Sequence, residues 1–174
     1  MLKGDRVNLR TVREKDLEQF IELASDIGSR GDHYPQNMLT ETSMRARYAK
    51  DGFWGEDYGF LLIVDKETDR ILGQVVQFKP VHYYDALEIG YIIFNPGDRG
   101  KGHLTEALKL FCKYLFKSKP IHRLQVQTEP GNLASRRAAE KAGFKFEGTA
   151  RSAIIKDGQP ADINMFSLLR KELE

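Results

Sequence analysis

The chain has little from which to build a disulfide, a metal cluster, a membrane span or a strong electrostatic field. Its single cysteine, Cys112, falls in an apolar stretch of helical spacing. It can make no intrachain disulfide, which fits a reducing compartment. The four histidines, His33, His82, His103 and His122, are scattered with no Cys or Asp at ligand spacing, so no metal is expected. The 27 basic residues nearly balance 25 acidic ones, for a net charge of +2. Direct nucleic-acid binding through an overall basic field is thereby excluded, and such a role would need a local patch. No apolar run is long enough to cross a bilayer, and Met1-Leu-Lys-Gly-Asp-Arg6 has no apolar stretch after its basic residues. Neither membrane attachment nor a signal peptide is expected, and a cytoplasmic location is the default.

What is present is ordinary globular composition: 174 residues, 41% hydrophobic and 30% charged. That suits one domain, 1–174, with a sizeable core. Residues 6–10 alternate as a half-buried strand, and Thr11 stands three residues before Glu14 at capping-box spacing. A helix over 12–24, a long connection over 25–40 and a weakly periodic helix over 41–50 follow. Strands are predicted over 58–64, 71–79, 86–93, 121–127, 144–156 and 161–169, with Asp157-Gly158 as the turn between the last two. Leu104, Leu108, Phe111 and Leu115 give a helix to about 117 one buried face, and Gly143 is placed as the cap of a short helix over 133–141. Residues 170–174 read as a solvated end. The order predicts an α/β (α+β) fold, a twisted, mixed, seven-stranded sheet with helices on both faces. It lacks the regular alternation of a doubly wound nucleotide fold.

The segment from Glu88 to Leu108 combines a strand, a glycine-rich turn and a helix start. Arg99-Gly-Lys-Gly-His-Leu104 presents consecutive backbone N–H groups beside the positive end of the helix, a geometry suited to a pyrophosphate. Lys101 is followed by Gly102 rather than Ser or Thr, and no Gly-x-Gly-x-x-Gly is present, which argues against a P-loop and a dinucleotide fingerprint. By pattern alone the choice stays open between a phosphate or cofactor loop and a structural glycine turn.

The same stretch resembles the acetyl-CoA motif Arg/Gln-x-x-Gly-x-Gly/Ala of the GCN5-related N-acetyltransferases (GNAT). Arg99 and Gly102 match, and Leu104 replaces the final small residue. Asn132 to Gly148 is similar to the Asn-x-x-Ser…Glu-Lys-x-Gly-Phe…Glu-Gly signature of the branch that acetylates ribosomal-protein N-termini, the RimJ/RimL-like branch. The resemblance covers essentially the whole chain and implies an enzyme that moves the acetyl group of acetyl-CoA to a primary amine. It places the pantetheine arm along Ile92, Ile93 and Phe94, and the pyrophosphate against amides of Arg99, Gly100, Lys101, Gly102, His103, Leu104 and Thr105. Asn132 is implied as a further anchor, with Arg136 or Arg137 near the 3′-phosphate.

Transfer needs a neutral amine and a proton for the departing thiolate. Glu88 is the candidate base, with substrate orientation as its alternative, and Ser135 the candidate acid, with a local helix-start hydrogen bond as its alternative. Asp32, His33, Tyr34, Trp54, Tyr83, Tyr84 and Asp85 are the candidate acceptor residues, joined by Phe53 and Asp57. Those aromatics alternatively close the core or form a homodimer contact. Arg30, Arg45 and Arg47 are candidates to receive an acidic tail. The expected acceptor is a protein N-terminal α-amine or a small amine such as an amino acid, polyamine or aminoglycoside. A non-catalytic CoA-binding module is the remaining alternative.

Overall fold

A computed structural model describes residues 1–173. The strands are β1 (Leu2–Lys3), β2 (Val7–Arg10), β3 (Tyr58–Asp65), β4 (Ile71–Phe78), β5 (Ala86–Ile93), β6 (Arg123–Thr128), β7 (Lys145–Lys156) and β8 (Gln159–Leu169). The helices are α1 (Leu17–Ser25), α2 (Glu41–Asp51), α3 (His103–Ser118) and α4 (Leu133–Lys141). They form one sheet in the order β1-β2-β3-β4-β5-β6-β8-β7. The sheet therefore has eight strands rather than seven, because Leu2 and Lys3 pair with Leu9 and Asn8. Two residues are too few to show alternation in sequence.

Every neighbouring pair is antiparallel except β5 and β6. That parallel register covers only Ala86↔Arg123, Leu87↔Leu124 and Glu88↔Gln125. Beyond Glu88 the two strands part, so Ile89–Ile93 keeps β4 on one side and an unpaired edge on the other.

Two cores flank the sheet. On one face α3 presents Ala107, Leu108, Phe111, Cys112, Leu115 and Phe116 at helical spacing, all buried with Ala138 and Ala139 of α4. On the other, Phe20 and Ile21 of α1, Met44 of α2 and Phe53 pack on Phe60, Leu62, Ile92 and Phe94. Alternation along β5 assigns Leu87, Ile89, Tyr91 and Ile93 to the α3 face, and Glu88, Gly90 and Ile92 to the α1/α2 face.

Several ends differ from expectation for local reasons. The first helix is split into a 3₁₀ turn, Glu14–Asp16, and α1. The cap is not Thr11 with Glu14. Instead Asp16 accepts the Arg13 N–H at 2.7 Å and pairs with buried Arg10 at 2.5 and 3.1 Å, an ion pair that overrides the capping-box spacing. Gly143, at φ 101°, follows the last turn of α4; its N–H meets Glu140 O while that of Phe144 meets Ala139 O, a Schellman closure. Asp157 and Gly158 both have positive φ, 49° and 76°, as a tight hairpin turn needs. Arg170 and Lys171 at the end are exposed, as expected, and are nonetheless tied down: Arg170 donates to the carbonyls of Phe116, Lys119 and Ile121, closing α3, and Glu172 pairs with Lys145. Glu174 lies outside the described residues.

Candidate active site

The parting of β5 and β6 creates the site. Glu88 is the last residue in register, and its Oε2 accepts from Gln125 Nε2 at 2.8 Å and Gln127 Nε2 at 3.0 Å. The two glutamines share one row of β6, two residues apart, so strand alternation aims both amides at the same carboxylate. Burial pushes the Glu88 carboxyl above its ordinary range, against the two amide hydrogen bonds that pull it down. A half-buried carboxylate so placed accepts a proton more readily than a free one.

On the opposite face of β5, the Tyr91 hydroxyl lies 2.8 Å from Ser135 Oγ on the first turn of α4. The Ser135 hydroxyl is therefore not absorbed by a helix-start backbone contact; that place is taken by Asn132, whose Oδ1 accepts the Ser135 N–H at 3.1 Å. Burial pushes the Tyr91 phenol up to about 12, so it stays protonated and can donate. Tyr91 was missed in the sequence. The available signal was a hydroxyl in an otherwise apolar row of a strand.

Past β5, Pro96–Asp98 tightens into a 3₁₀ turn capped by Asn95, and α3 begins at His103. Gly100 and Gly102 take φ 75° and 85°, a conformation open to residues without Cβ. The N–H groups of Gly100, Lys101, Gly102, His103, Leu104 and Thr105 have no acceptor among the described residues, and they face the positive end of a 16-residue helix. This donor set fits an anionic pyrophosphate. Arg99 does not belong to it as expected, because its N–H is spent on Pro96 O at 3.1 Å. Its guanidinium braces the carbonyls of Ile93, Phe94 and Ser29. Lys101 is shared with Asp98 at 3.5 Å, and Asp98 is held mainly by Arg70 at 2.7 and 3.0 Å. Arg6, also missed, brings its guanidinium alongside Gly102. Arg136 is engaged with Glu140 at 2.8 Å, whereas Arg137 has no partner among the described residues.

A cavity of about 170 Å³ opens between α1, α2 and the sheet, floored by Ile92 and Phe94 and walled by Tyr34, Phe53, Tyr58 and Gln74. Of the acceptor candidates, Tyr34 and Phe53 reach it. Trp54 does not: it packs on Phe111 and Tyr114 of α3, on the far face of the sheet. A single-residue step in register is enough to move it there. Tyr83 and Tyr84 are exposed on the loop ahead of β5, stacked edge to face at 5.1 Å, and with Asp85 they stay outside the cavity. His33 is drawn to Glu129 at 3.0 Å, beside the Lys156–Glu129 pair at 2.6 Å, while Asp32 is exposed. Arg30 is buried on the carbonyls of Ala24, Pro35 and Asn37, and Arg45 pairs with Glu18 and Glu41, so neither is free for an acidic tail. Arg47 alone of the three stacks on Tyr58 at 4.3 Å with no carboxylate partner among the described residues.

A family profile described as an acetyltransferase (GNAT) domain matches residues 6–145. The chain is 31% identical over 190 residues to YjcK of Bacillus subtilis strain 168, named a probable N-acetyltransferase, covering all of this chain and 99% of that one. It is 36% identical over 178 residues to YdaF of the same organism, provisionally named a ribosomal N-acetyltransferase, covering 98% and 95%. The crystal structure of a GNAT-family acetyltransferase from Bacillus anthracis superposes with a TM-score of 0.80 at 27% identity, covering 98% of this chain and 99% of that one. With the profile spanning most of the sequence and the divided sheet of this fold in place, the chain belongs to the GNAT family of acetyltransferases, which act on amines with acetyl-CoA.

Proposed function

We propose that the chain acetylates the α-amine at a protein N-terminus by direct attack of the neutral amine on the thioester of acetyl-CoA. The observation that carries the chemistry is the placement of Glu88, under Gln125 and Gln127, where β5 acquires a free edge, with Ser135 and Tyr91 across the strand. The Phe94 N–H is spent on Leu72 O at 2.9 Å and the Ile93 and Phe94 carbonyls on Arg99, so of Ile92–Phe94 the Ile93 N–H, on the free edge, would take the pantetheine arm, and the amides of Gly100–Thr105, aided by Lys101, would hold the pyrophosphate. Asn132 would add a contact at the start of α4. For the 3′-phosphate Arg137 is the freer of the two arginines. Bound acetyl-CoA supplies the activated acetyl group. Glu88 takes the amine proton, directly or through water, which its raised proton affinity permits. As the carbon–nitrogen bond forms and the carbon–sulfur bond breaks, Ser135, held by Tyr91, gives a proton to the departing sulfur and regains one from solvent, while Glu88 releases the amine proton to solvent.

The acceptor assignment follows from charge. The cavity wall contains two arginines, Arg30 and Arg47, and no carboxylate, a poor setting for a polyamine or aminoglycoside. A peptide N-terminus carries one positive charge, and an acidic residue behind it would meet Arg47. The resemblance to the ribosomal-protein branch and the name of YdaF agree with this choice. The test is incubation with acetyl-CoA and a panel of N-terminal peptides, amino acids, polyamines and aminoglycosides, reading thiol release and product mass. Acetylation of peptide α-amines is expected; preferential acetylation of spermidine would overturn the assignment.

A further inference from the structure

β3, β4 and β5 each carry one glycine, Gly59, Gly73 and Gly90. The first two are demanded by packing. A Cβ on Gly59 would stand 3.0 Å from the Trp54 ring, and one on Gly73 would run into the Ile92 carbonyl oxygen. Gly90 is under no such demand: its φ is not left-handed, and a Cβ there would meet only Phe78 and Val76 of β4, each at an ordinary 3.9 Å. Glycine inside a strand forgoes stability that alanine would supply, and where the backbone does not require it, it marks a close approach by something else. Its position says what approaches. Gly90 is half-buried and lies past the last pair with β6, between Glu88 and the cavity floor at Ile92 on one face of β5. Of the Glu88 oxygens, Oε2 takes both glutamine amides, while Oε1 has no partner among the described residues and is not sealed from solvent. Because β5 and β6 run parallel, Gln127 lies beyond Gln125 in the direction in which Gly90 lies beyond Glu88, and its 3.0 Å contact draws the carboxylate toward Gly90.

We propose that the notch over Gly90 seats the carbon that bears the acceptor amine, and that Gly90 sets how bulky this carbon is allowed to be. The inference rests on the acetyl-transfer reading above and adds size selection at the reacting centre. A methyl group on Gly90 would fill the notch while leaving the strand in place, and the cofactor arm, which meets β5 through the edge at Ile93, would be untouched. Size at the acceptor carbon is therefore separable from folding and from CoA binding. One added carbon in a close fit of this kind changes rates by about tenfold or more.

The test compares the native protein with Gly90→Ala on peptides that differ only in a first residue of Gly, Ala or Val. The variant is expected to melt no lower than the native protein and to keep its CoA affinity by calorimetry. kcat/KM for the Ala-headed peptide is expected to fall about tenfold or more, with a smaller loss for the Gly-headed peptide and a larger one for the Val-headed. Calorimetric binding of the same peptides to the CoA-loaded protein separates this inference from the catalytic reading. Graded weakening of peptide binding without turnover upholds the notch and sinks acetyl transfer. Equal rates and equal binding in the two proteins, an equal loss for all the peptides, a loss of CoA affinity, no peptide binding at all, or a lowered melting temperature overturns the notch.

Discussion

The two faces of the sheet are built for different ends. Against α3 and α4 the sheet meets an apolar layer centred on Leu108, Phe111 and Leu115, each fully buried, interrupted by Tyr91 with Ser135 and by buried Gln77, whose amide donates to the carbonyls of Gly55 and Glu56. Against α1 and α2 it keeps buried Gln74, which walls the cavity, and half-buried Glu88, held by buried Gln125 and exposed Gln127 of β6. The first face contributes stability and the second gives some of it up to hold polar atoms in place. Substitutions should therefore separate into those that unfold the protein and those that silence it.

The largest effect is expected on the α3 face. Phe111→Ala removes a fully buried ring that touches Trp54 and should cost about 3–5 kcal/mol, read from denaturant midpoints. A small loss there would erase the contrast between faces. Next, Glu88→Gln should lower kcat/KM roughly hundredfold with little change in melting temperature, and Ser135→Ala should lower kcat by at least about tenfold with CoA affinity kept.

The pH dependence carries its own sign. Because Glu88 has a raised pKa, activity requiring its carboxylate should fall along an acid limb above the ordinary value of 4.5, and Glu88→Gln should abolish that limb. For stability the same shift works the other way: the fold loses free energy as pH rises from 4.5 through the raised value, since the unfolded chain ionises more easily.

Gly102→Ala places a Cβ 3.0 Å from the Arg6 guanidinium at φ 85°. A left-handed penalty of about 1–2 kcal/mol predicts roughly tenfold weaker CoA binding, measurable by titration. The smallest effect belongs to Arg123→Gln. Its partner Glu147 is pulled down to about 2 chiefly by the Arg123 hydrogen bond, yet that carboxylate is 40% exposed. The loss should stay below about 1 kcal/mol. The pair's contribution is present above 4.5 and fades as pH falls toward 2.

The legibility of these features followed their range along the chain. Local signals were reliable: the periodic face of α3, the Asp157-Gly158 turn and Gly143 after α4 all depend on residues within one turn or one hairpin. The amide loop was legible for the same reason, because glycine spacing and a helix start are contiguous. The Glu88 cluster was half visible. Glu88 itself stood out, but Gln125 and Gln127 lie 37 and 39 residues away and become its partners only through the parallel register. Trp54 was assigned to the acceptor wall because composition says nothing about which face of a sheet a loop residue will join. Arg30 and Arg99 read as ligand-binding charges, whereas both are spent on backbone carbonyls that loops and the ends of α1 and β5 leave unpaired. Tyr91 and Gln74 needed the fold before either could be recognised.

The three-pair seam between β5 and β6 also has a thermodynamic meaning. β1–β5 and β6-β8-β7 are each made of antiparallel neighbours, and only Ala86–Glu88 with Arg123–Gln125 joins the two groups through strand pairing. Anything that lies along the free edge of Ile89–Ile93 acts as an interstrand splint. At a hundredfold excess over its dissociation constant such a ligand adds about 2.7 kcal/mol to the folded state. Amide exchange along that edge should slow when it binds, while the β7–β8 hairpin amides, already paired, should change least.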